Sequence, residues 1–396
     1  ITFDDFVPKK MTDVSQAIKM PMLFTPLSLR SVELHNRVVI SPMCQYSAID
    51  GIANDWHFQH LGQFAAGGAG LIFTEATAVE ERGRITHGDL GIWKDDHIEP
   101  LRRIVEYLKA HNSVPGIQLA HAGRKASSRR PWDEGKPLDK TDEAAGEPPW
   151  ETVAPSAIPL QENWKPPHAL STDEISGTVE AWGKAAHRAN EAGFEAVEVH
   201  CAHGYLLHQF LSASSNQRTD EYGSSLEARM RFPLEVAERV RQEWPAEKPV
   251  FLRLSTSDEG DPSWSMDEVV TFVGELSKRG IDVIDCSTGG IGSQGFAIRG
   301  RRVPGYQVGL AEQVRQRTGV IVMGVGLITK AKQAEDILQR GQCDLVAIGR
   351  EALLNPYWPL QAALELGADP NFGLWPRQYG WWLDYRARTI GSEPGH

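Results

Sequence analysis

Residues 37–44 read Arg37-Val38-Val39-Ile40-Ser41-Pro42-Met43-Cys44. The run Val38–Met43 has the short, β-branched character of a buried strand. It leads into Ser41-Pro42-Met43-Cys44 rather than into the glycine-rich turn that follows the first strand of a doubly wound sheet. Outward from it the same kind of run recurs at Leu71–Ala76, Gly116–His121, Ala196–His200, Val250–Ser255, Val283–Ser287, Val320–Gly324 and Leu345–Gly349. Helical periodicity fills the intervals, over 56–67, 97–112, 172–192, 226–243, 266–279, 307–318 and 329–340, with 351–366 after the last strand. Strands that alternate with helices lie parallel and connect by crossovers. Eight such units predict an α/β fold of the closed (β/α)8 TIM-barrel type.

The chain has 396 residues, 41% of them hydrophobic and 23% charged, an ordinary globular composition. A barrel core takes about 250 residues, which leaves room for long loops and a tail. The predicted organisation is an N-terminal extension (1–21) and one barrel domain (22–396). That domain includes a loop at about 122–170 and a C-terminal tail at about 367–396. The net charge of −11 argues against a nucleic-acid partner, since a polyanion needs a basic face. No apolar run approaches a membrane span, and no signal-peptide core follows the first charged residues. Cys44, Cys201, Cys286 and Cys343 form no CxxC pair. They read as reduced thiols, with a cytoplasmic location expected. Residues 122–170 carry eight prolines between 131 and 167, together with Trp132, Trp150 and Trp164. A loop this long caps a site or is disordered, and a cap over the barrel mouth is expected. The connection 288–306 is glycine-rich and holds Arg299, Arg301 and Arg302.

Active sites of barrels form at the C-terminal strand ends. The fourth strand reads Ala196-Val197-Glu198-Val199-His200 and continues Cys201-Ala202-His203-Gly204-Tyr205. Alternation puts Val197 and Val199 toward the helices, and Glu198 and His200 toward the interior. His200 and His203 can donate hydrogen bonds to a carbonyl or nitro oxygen, and Tyr205 can supply a proton. Two other readings stand beside this one: satisfied core histidines, or a metal centre such as that of a barrel hydrolase, for which no third ligand is evident nearby. Arg253 also points inward, and a buried cation needs an anion. That anion is either Glu198 or negative charge on a reduced isoalloxazine. Gln118, inward near the end of strand three, can pair with the donor–acceptor edge of such a ring. Gly324-Val325-Gly326 and Gly349-Arg350 follow the last two strands. There many barrels hold a phosphate through bare backbone amides, and Arg350 offers a bidentate fork. Tight turns and a surface arginine are the plainer alternative. Cys44, two residues before Tyr46, is either a small buried hydrophobe or a modulator of a flavin's electron affinity.

Taken together, several segments resemble the Old Yellow Enzyme family, in particular its cysteine-containing bacterial subgroup of ene-reductases and xenobiotic reductases. They are 36–44, Gln118-Leu119-Ala120-His121-Ala122-Gly123-Arg124-Lys125, 199–206, 215–224, Arg253, Pro304-Gly305-Tyr306-Gln307 and Gly349-Arg350-Glu351-Ala352-Leu353. The resemblance runs from about residue 22 to the tail. It implies noncovalent FMN at the barrel mouth, with Ser41, Pro42, Met43, Cys44, Ala76, Gln118 and Arg253 around the ring and ribityl chain. Gly324, Gly326, Gly349 and Arg350 would take the phosphate. It implies hydride from NADPH or NADH and a small enone-type substrate, an α,β-unsaturated carbonyl or nitro compound. His200 and His203 would hold that substrate, Tyr205 would protonate it, and Tyr46 would line its pocket; no metal takes part. A flavin-binding protein without turnover is the remaining alternative. The tail departs from the compact relatives. Arg377-Gln378-Tyr379-Gly380-Trp381-Trp382 has no arginine just before the glycine. Trp382 resembles an aromatic that some relatives lend across a dimer, so a homodimer or homotetramer is expected. One of Arg299, Arg301 and Arg302 is expected to meet the 2′-phosphate of NADPH, unless they form a solvated basic turn. Arg124 and Lys125 receive no role.

Overall fold

Eight strands close on themselves, each paired in parallel with its chain neighbour: β1 (Val38–Ile40), β2 (Leu71–Ala78), β3 (Val114–Ala120), β4 (Ala196–Cys201), β5 (Val250–Ser255), β6 (Val283–Ser287), β7 (Ile321–Gly324) and β8 (Leu345–Ile348). The seam between the last strand and the first is the β8–β1 pairing, Val346↔Val38 to Ile348↔Ile40. The architecture is a (β/α)8 barrel, taken from a computed structural model that describes residues 20–258, 261, 263–292 and 302–390. Around it lie α1 (Asp55–Ala66), α2 (Ile98–Ala110), α3 (Thr172–Glu191), α4 (Leu226–Glu243), α5 (Met266–Lys278), α6 (Val308–Thr318) and α7 (Ala331–Gln339). Local chemistry sets their starts. Ser171 caps α3 and Ser265 caps α5, each in a reciprocal box with the glutamate three residues on.

Several boundaries differ from the sequence reading for identifiable reasons. β1 stops at Ile40, because Pro42 has no N–H to give a ladder. β2 runs on to Ala78, but its register against β3 shifts between Phe73 and Ala76. The helix expected over 351–366 is two, α8 (Arg350–Leu354) and α9 (Trp358–Glu365). Asn355, held extended before Pro356, breaks it. Segment 122–170 is built rather than structureless. It holds the turns Gly123–Lys125 and Pro131–Asp133, the short helix Lys140–Glu143, and a parallel pair of Val153–Ala154 with His168–Ala169.

The barrel interior has two tiers. The lower one is apolar: Val39, Leu71, Phe73, Ala196, Phe251, Val283, Met323, Leu345 and Ala347 form one buried cluster. Phe73 and Phe251 meet there edge to face at 5.3 Å. A hairpin that the sequence reading did not foresee, Leu27–Leu29 with Val32–Leu34, adds Leu29, Val32 and Leu34 to the same cluster and closes the lower end. One pleat higher the same strands present Gln118, Glu198, Arg253 and Asp285, all buried. A second, larger core lies between strands and helices around Trp182, Phe194, Phe232 and Phe272.

Phe251→Ala removes the ring that spans the lower tier and leaves a cavity that the closed barrel cannot collapse. The expected loss is about 3–5 kcal/mol of unfolding free energy, read from the guanidinium midpoint. A loss under about 1 kcal/mol would mean the ring is not closely packed.

Candidate functional site

Two bulky residues at the mouth adopt the left-handed backbone that L-residues avoid, Tyr46 (φ 52°) and His203 (φ 58°). Their surroundings hold them there. The loops after β4 and β6 touch backbone to backbone: a Cβ on Gly204 would sit 2.0 Å from the Gly290 carbonyl oxygen. The Lys125 ammonium donates to the carbonyls of His203 (2.7 Å) and Gly290 (2.5 Å), tying the two loops together. Arg124 donates to the carbonyls of Ile291 and Ile158, which joins the loop after β6 to the long segment after β3. The two cations left without a role by sequence reasoning are therefore cross-ties of the mouth. Burial, with Arg124 nearby, lowers the Lys125 ammonium to about 8.

His200, His203 and Tyr205 come together as the strand pattern predicted. The His200 ring lies 5.1 Å from that of His203 and 4.9 Å from that of Tyr205, nearly perpendicular to both. The backbone N–H of Ala202 donates to His200 Nδ1 (3.2 Å), so the neutral ring carries its proton on Nε2. His203 Nε2 lies 2.7 Å from the Ser287 hydroxyl, which also receives the Gln307 amide. Burial, then Arg253, drives both imidazoles well below the usual histidine range; burial likewise drives the Tyr205 phenol well above its own. The site thus holds two neutral imidazoles and a phenol that keeps its proton.

Beneath them, Arg253 Nε lies 3.1 Å from Asp285 Oδ2, though out of line for a hydrogen bond. Glu198, one of the two anions weighed for Arg253, accepts from the Gln118 amide at 2.5 Å. Among the described residues the charged partner beside Arg253 is thus Asp285, which the sequence reading did not weigh. Arg253 and Asp285 are direct register partners (Asp285↔Arg253), a relation set by the barrel and not by either strand alone. Burial raises both carboxyls, and each also feels the Arg253 charge pulling the other way.

The segment after β1 holds Ser41, Pro42, Met43, Cys44 and Tyr46. Glu75, on the shifted part of β2, accepts the Gln45 N–H (3.0 Å) and lies 3.2 Å from His57 Nε2. This buried pair carried no sequence signal, because nothing local links residues 57 and 75. Burial, then Glu75 and Asp89, push the Cys44 thiol well above its usual range, so it stays protonated. The long segment covers this loop: Arg130 donates to the Tyr46 carbonyl, and Trp132 meets the Tyr46 ring edge-on at 5.6 Å.

At the far end, Gly349 stands beside Ser41, whose N–H bonds to Ile348 O; among the described residues, Ser41 Cβ, 3.9 Å away, is the one atom near enough to meet a Cβ there. Gly326 (φ 119°) faces Gln307 and Tyr306. Gly324 has a packing reason for its size, since a Cβ there would meet Cys343 Sγ at 2.3 Å. Arg350 is exposed beside Gly349. Ala76 pairs with Gln118 in register at the β2–β3 edge. Trp382, which the resemblance would have reach across a dimer, is 63% exposed on α10 (Arg377–Thr389), with Trp381 and Tyr385 as ring neighbours. Arg302 covers the Tyr306 ring, and Arg299 and Arg301 lie outside the described residues.

A barrel with a polar upper tier, neutral hydrogen-bond donors at its mouth and bare glycines at its last strand ends has the make-up of a flavin oxidoreductase. A profile of the NADH:flavin oxidoreductase / NADH oxidase family matches residues 22–368. An NADPH dehydrogenase of Geobacillus sp. (strain WCH70) is 43% identical over 348 residues, covering 87% of this chain and 95% of its own. That of Bacillus subtilis (strain 168) is 42% identical over 349 residues, 88% and 96% of the two chains. Among solved structures, morphinone reductase superposes with a TM-score of 0.71 at 31% identity, covering 88% of this chain and 91% of its own. The chain therefore belongs to the NADH:flavin oxidoreductase / NADH oxidase family, that of the Old Yellow Enzymes. It is an FMN-dependent NAD(P)H oxidoreductase. The residues present fit that cofactor. Ser41 Oγ and Arg253 Nε are buried without a hydrogen-bond partner among the described residues, as donors awaiting a polar ring edge would be.

Because folding lowers the Lys125 pKa from 10.5 to about 8, the unfolded chain binds a proton that the folded one lacks between those values. Stability attributable to this group rises with pH across that window. Lys125→Met should flatten the rise by on the order of 1–3 kcal/mol, measured by urea unfolding at stepped pH. Parallel pH profiles for the two proteins would contradict the buried ammonium.

Proposed function

We propose that this protein reduces the activated carbon–carbon double bonds of α,β-unsaturated carbonyl and nitro compounds, with NADPH as the hydride source. The observation that carries the reading is the His200–His203–Tyr205 cluster, whose rings stand nearly perpendicular around a buried mouth. FMN, when bound, would supply the hydride-transfer chemistry between nicotinamide and substrate.

The chain's residues do the rest. His200 Nε2–H and His203 donate to the electron-withdrawing oxygen of the substrate and draw electron density away from its β-carbon. Their neutrality suits this task, since they stabilise developing charge without giving up a proton. Tyr205 delivers a proton to the α-carbon, and its phenol, raised by burial, holds that proton until carbanion character develops. Gln118 and Arg253 address the polar edge of the ring, with Glu198 orienting the amide and Asp285 beside the guanidinium. Ser41, Pro42, Met43, Cys44 and Ala76 flank the ring and ribityl chain. Gly326, Gly349 and Arg350 receive the phosphate, with Gly324 kept small by Cys343. Tyr46 lines the substrate pocket under the cap of the single barrel domain. The NADPH preference rests on the names of the relatives. A pairing of chains through α10 would suit its exposed Trp381, Trp382 and Tyr385.

The test is FMN content followed by the two half-reactions with NADPH and 2-cyclohexenone. Tyr205→Phe should leave flavin reduction intact and slow alkene reduction by about 10²–10⁴-fold. Equal loss in both half-reactions would remove Tyr205 from its role. Flavin present with no reduction by either nicotinamide would favour binding without turnover.

A further inference from the structure

A proton donor that is itself buried must be recharged, and one feature behind Tyr205 offers a source. A small cavity of about 10 Å³, near the lower limit for one water, is lined by Ala76, Ala78, Ala120, Ala122, Gly83, Ile85, Asp89 and Tyr205. Four alanines and a glycine leave the space open, and its two ionisable linings are Asp89 and the Tyr205 phenol. Asp89 is buried in the turn after β2. Its Oδ2 accepts the Ile85 N–H (2.7 Å); its Oδ1 accepts the Thr86 N–H (3.0 Å) and hydroxyl (2.8 Å). A carboxylate offers about four acceptor positions, so three are used and the remaining one is on Oδ2. A proton added to Asp89 therefore belongs on Oδ2.

We propose that Asp89 recharges Tyr205 through one water held in this cavity. The inference rests on Tyr205 being the proton donor. In the step, the Tyr205 O–H bond breaks as its proton joins the electron pair on the substrate α-carbon. The phenolate takes a proton from the water, the water takes the Oδ2 proton of Asp89, and the Asp89 carboxylate recovers a proton from solvent. One proton enters per turnover and no further oxidant or reductant is needed. Asp89 acts through Tyr205 and is a positioning residue for the proton, not a catalytic one.

The electrostatic setting agrees. Burial pushes the Asp89 carboxyl up to about 7 against the pull of the Ile85 and Thr86 donors, with Glu75 adding to the rise. The other ionisable groups that feel its charge are Cys44 and Tyr46 from the β1 loop, Arg84 from its own turn and Tyr205 itself. Below about 7 the proton is in place; above it the store empties. The competing source is the Lys125 ammonium, which stands over the Tyr205 ring face at 5.7 Å but spends two donors on carbonyls.

The experiment follows oxidation of the reduced holoenzyme by 2-cyclohexenone in stopped flow across neutral pH. The wild type should slow as pH rises through the Asp89 titration. Asp89→Asn should slow alkene reduction roughly ten- to hundredfold, abolish that inflection and leave reduction by NADPH unchanged. Ala120→Val, which fills the cavity while keeping the Asp89 carboxyl and its Ile85 and Thr86 donors in the chain, should have the same effect should the asparagine variant fold poorly. Independent of turnover, a protonated-carboxyl infrared component distinct from those of Glu198 and Asp285 should titrate near neutrality and be the one missing from the Asp89→Asn difference spectrum. Folded variants that keep the inflection would overturn the proposal, as would an inflection that survives Asp89→Asn and disappears in Lys125→Met. Tyr205→Phe separates the two readings. If it slows alkene reduction while Asp89→Asn and Ala120→Val do not, this inference alone fails. If it leaves alkene reduction intact, the donor assignment beneath it fails.

Discussion

A guanidinium buried inside a closed barrel is the constraint on which the mouth depends. Arg253 stands on an apolar floor of Phe73 and Phe251, with Asp285 beside it and Glu198 one strand away. Burying a lone charge costs several kcal/mol, so such a group is stable only with anions or polar partners close by. Two carboxylates against one cation overshoot, and burial accordingly raises both carboxyls against the pull of Arg253. Even then Arg253 Nε, Ser41 Oγ and Glu198 Oε1 lack hydrogen bonds within the described chain. A polar tier that is well built but incompletely satisfied is one that a planar, hydrogen-bonding cofactor would complete.

The loops above are held by cross-ties and not by strands. Lys125 binds the His203 and Gly290 carbonyls, the Ser255 hydroxyl binds Gly289, and the His203 N–H binds Ser255. These bonds sustain the left-handed backbone of His203, a strain of about 1–3 kcal/mol that persists only where the surroundings over-determine it. The result is a rigid placement of imidazoles relative to a phenol. Such preorganisation lowers a barrier more than contact strength alone does.

Burial gives each group at the mouth a distinct protonation state. It neutralises His200 and His203, keeps Tyr205 and Cys44 protonated, and lifts Asp89 toward neutrality. Neutral imidazoles and protonated acids thereby stand within a few ångströms of one another, set apart by desolvation more than by any one neighbouring charge.

What the residue order determines by itself is local. The period of two places Glu198, His200, Arg253 and Gln118 inside, and the alternation of strand and helical patterns gives the eight units. The strand-end rule then locates the mouth. Which charges meet there is a different matter. The Arg253–Asp285 pair follows from the register of neighbouring strands, and the Glu75–His57 pair from a shift in β2. The Lys125 ties and the Asp89 cavity follow from how three loops fold over one another. None of these has a signature along the chain, because each joins segments whose relation exists only once the barrel closes. The hairpin that seals the lower end, the break at Asn355-Pro356 and the exposure of Trp382 likewise belong to tertiary packing. Alternation is a property of the backbone one residue at a time, whereas partnership is a property of the closed sheet.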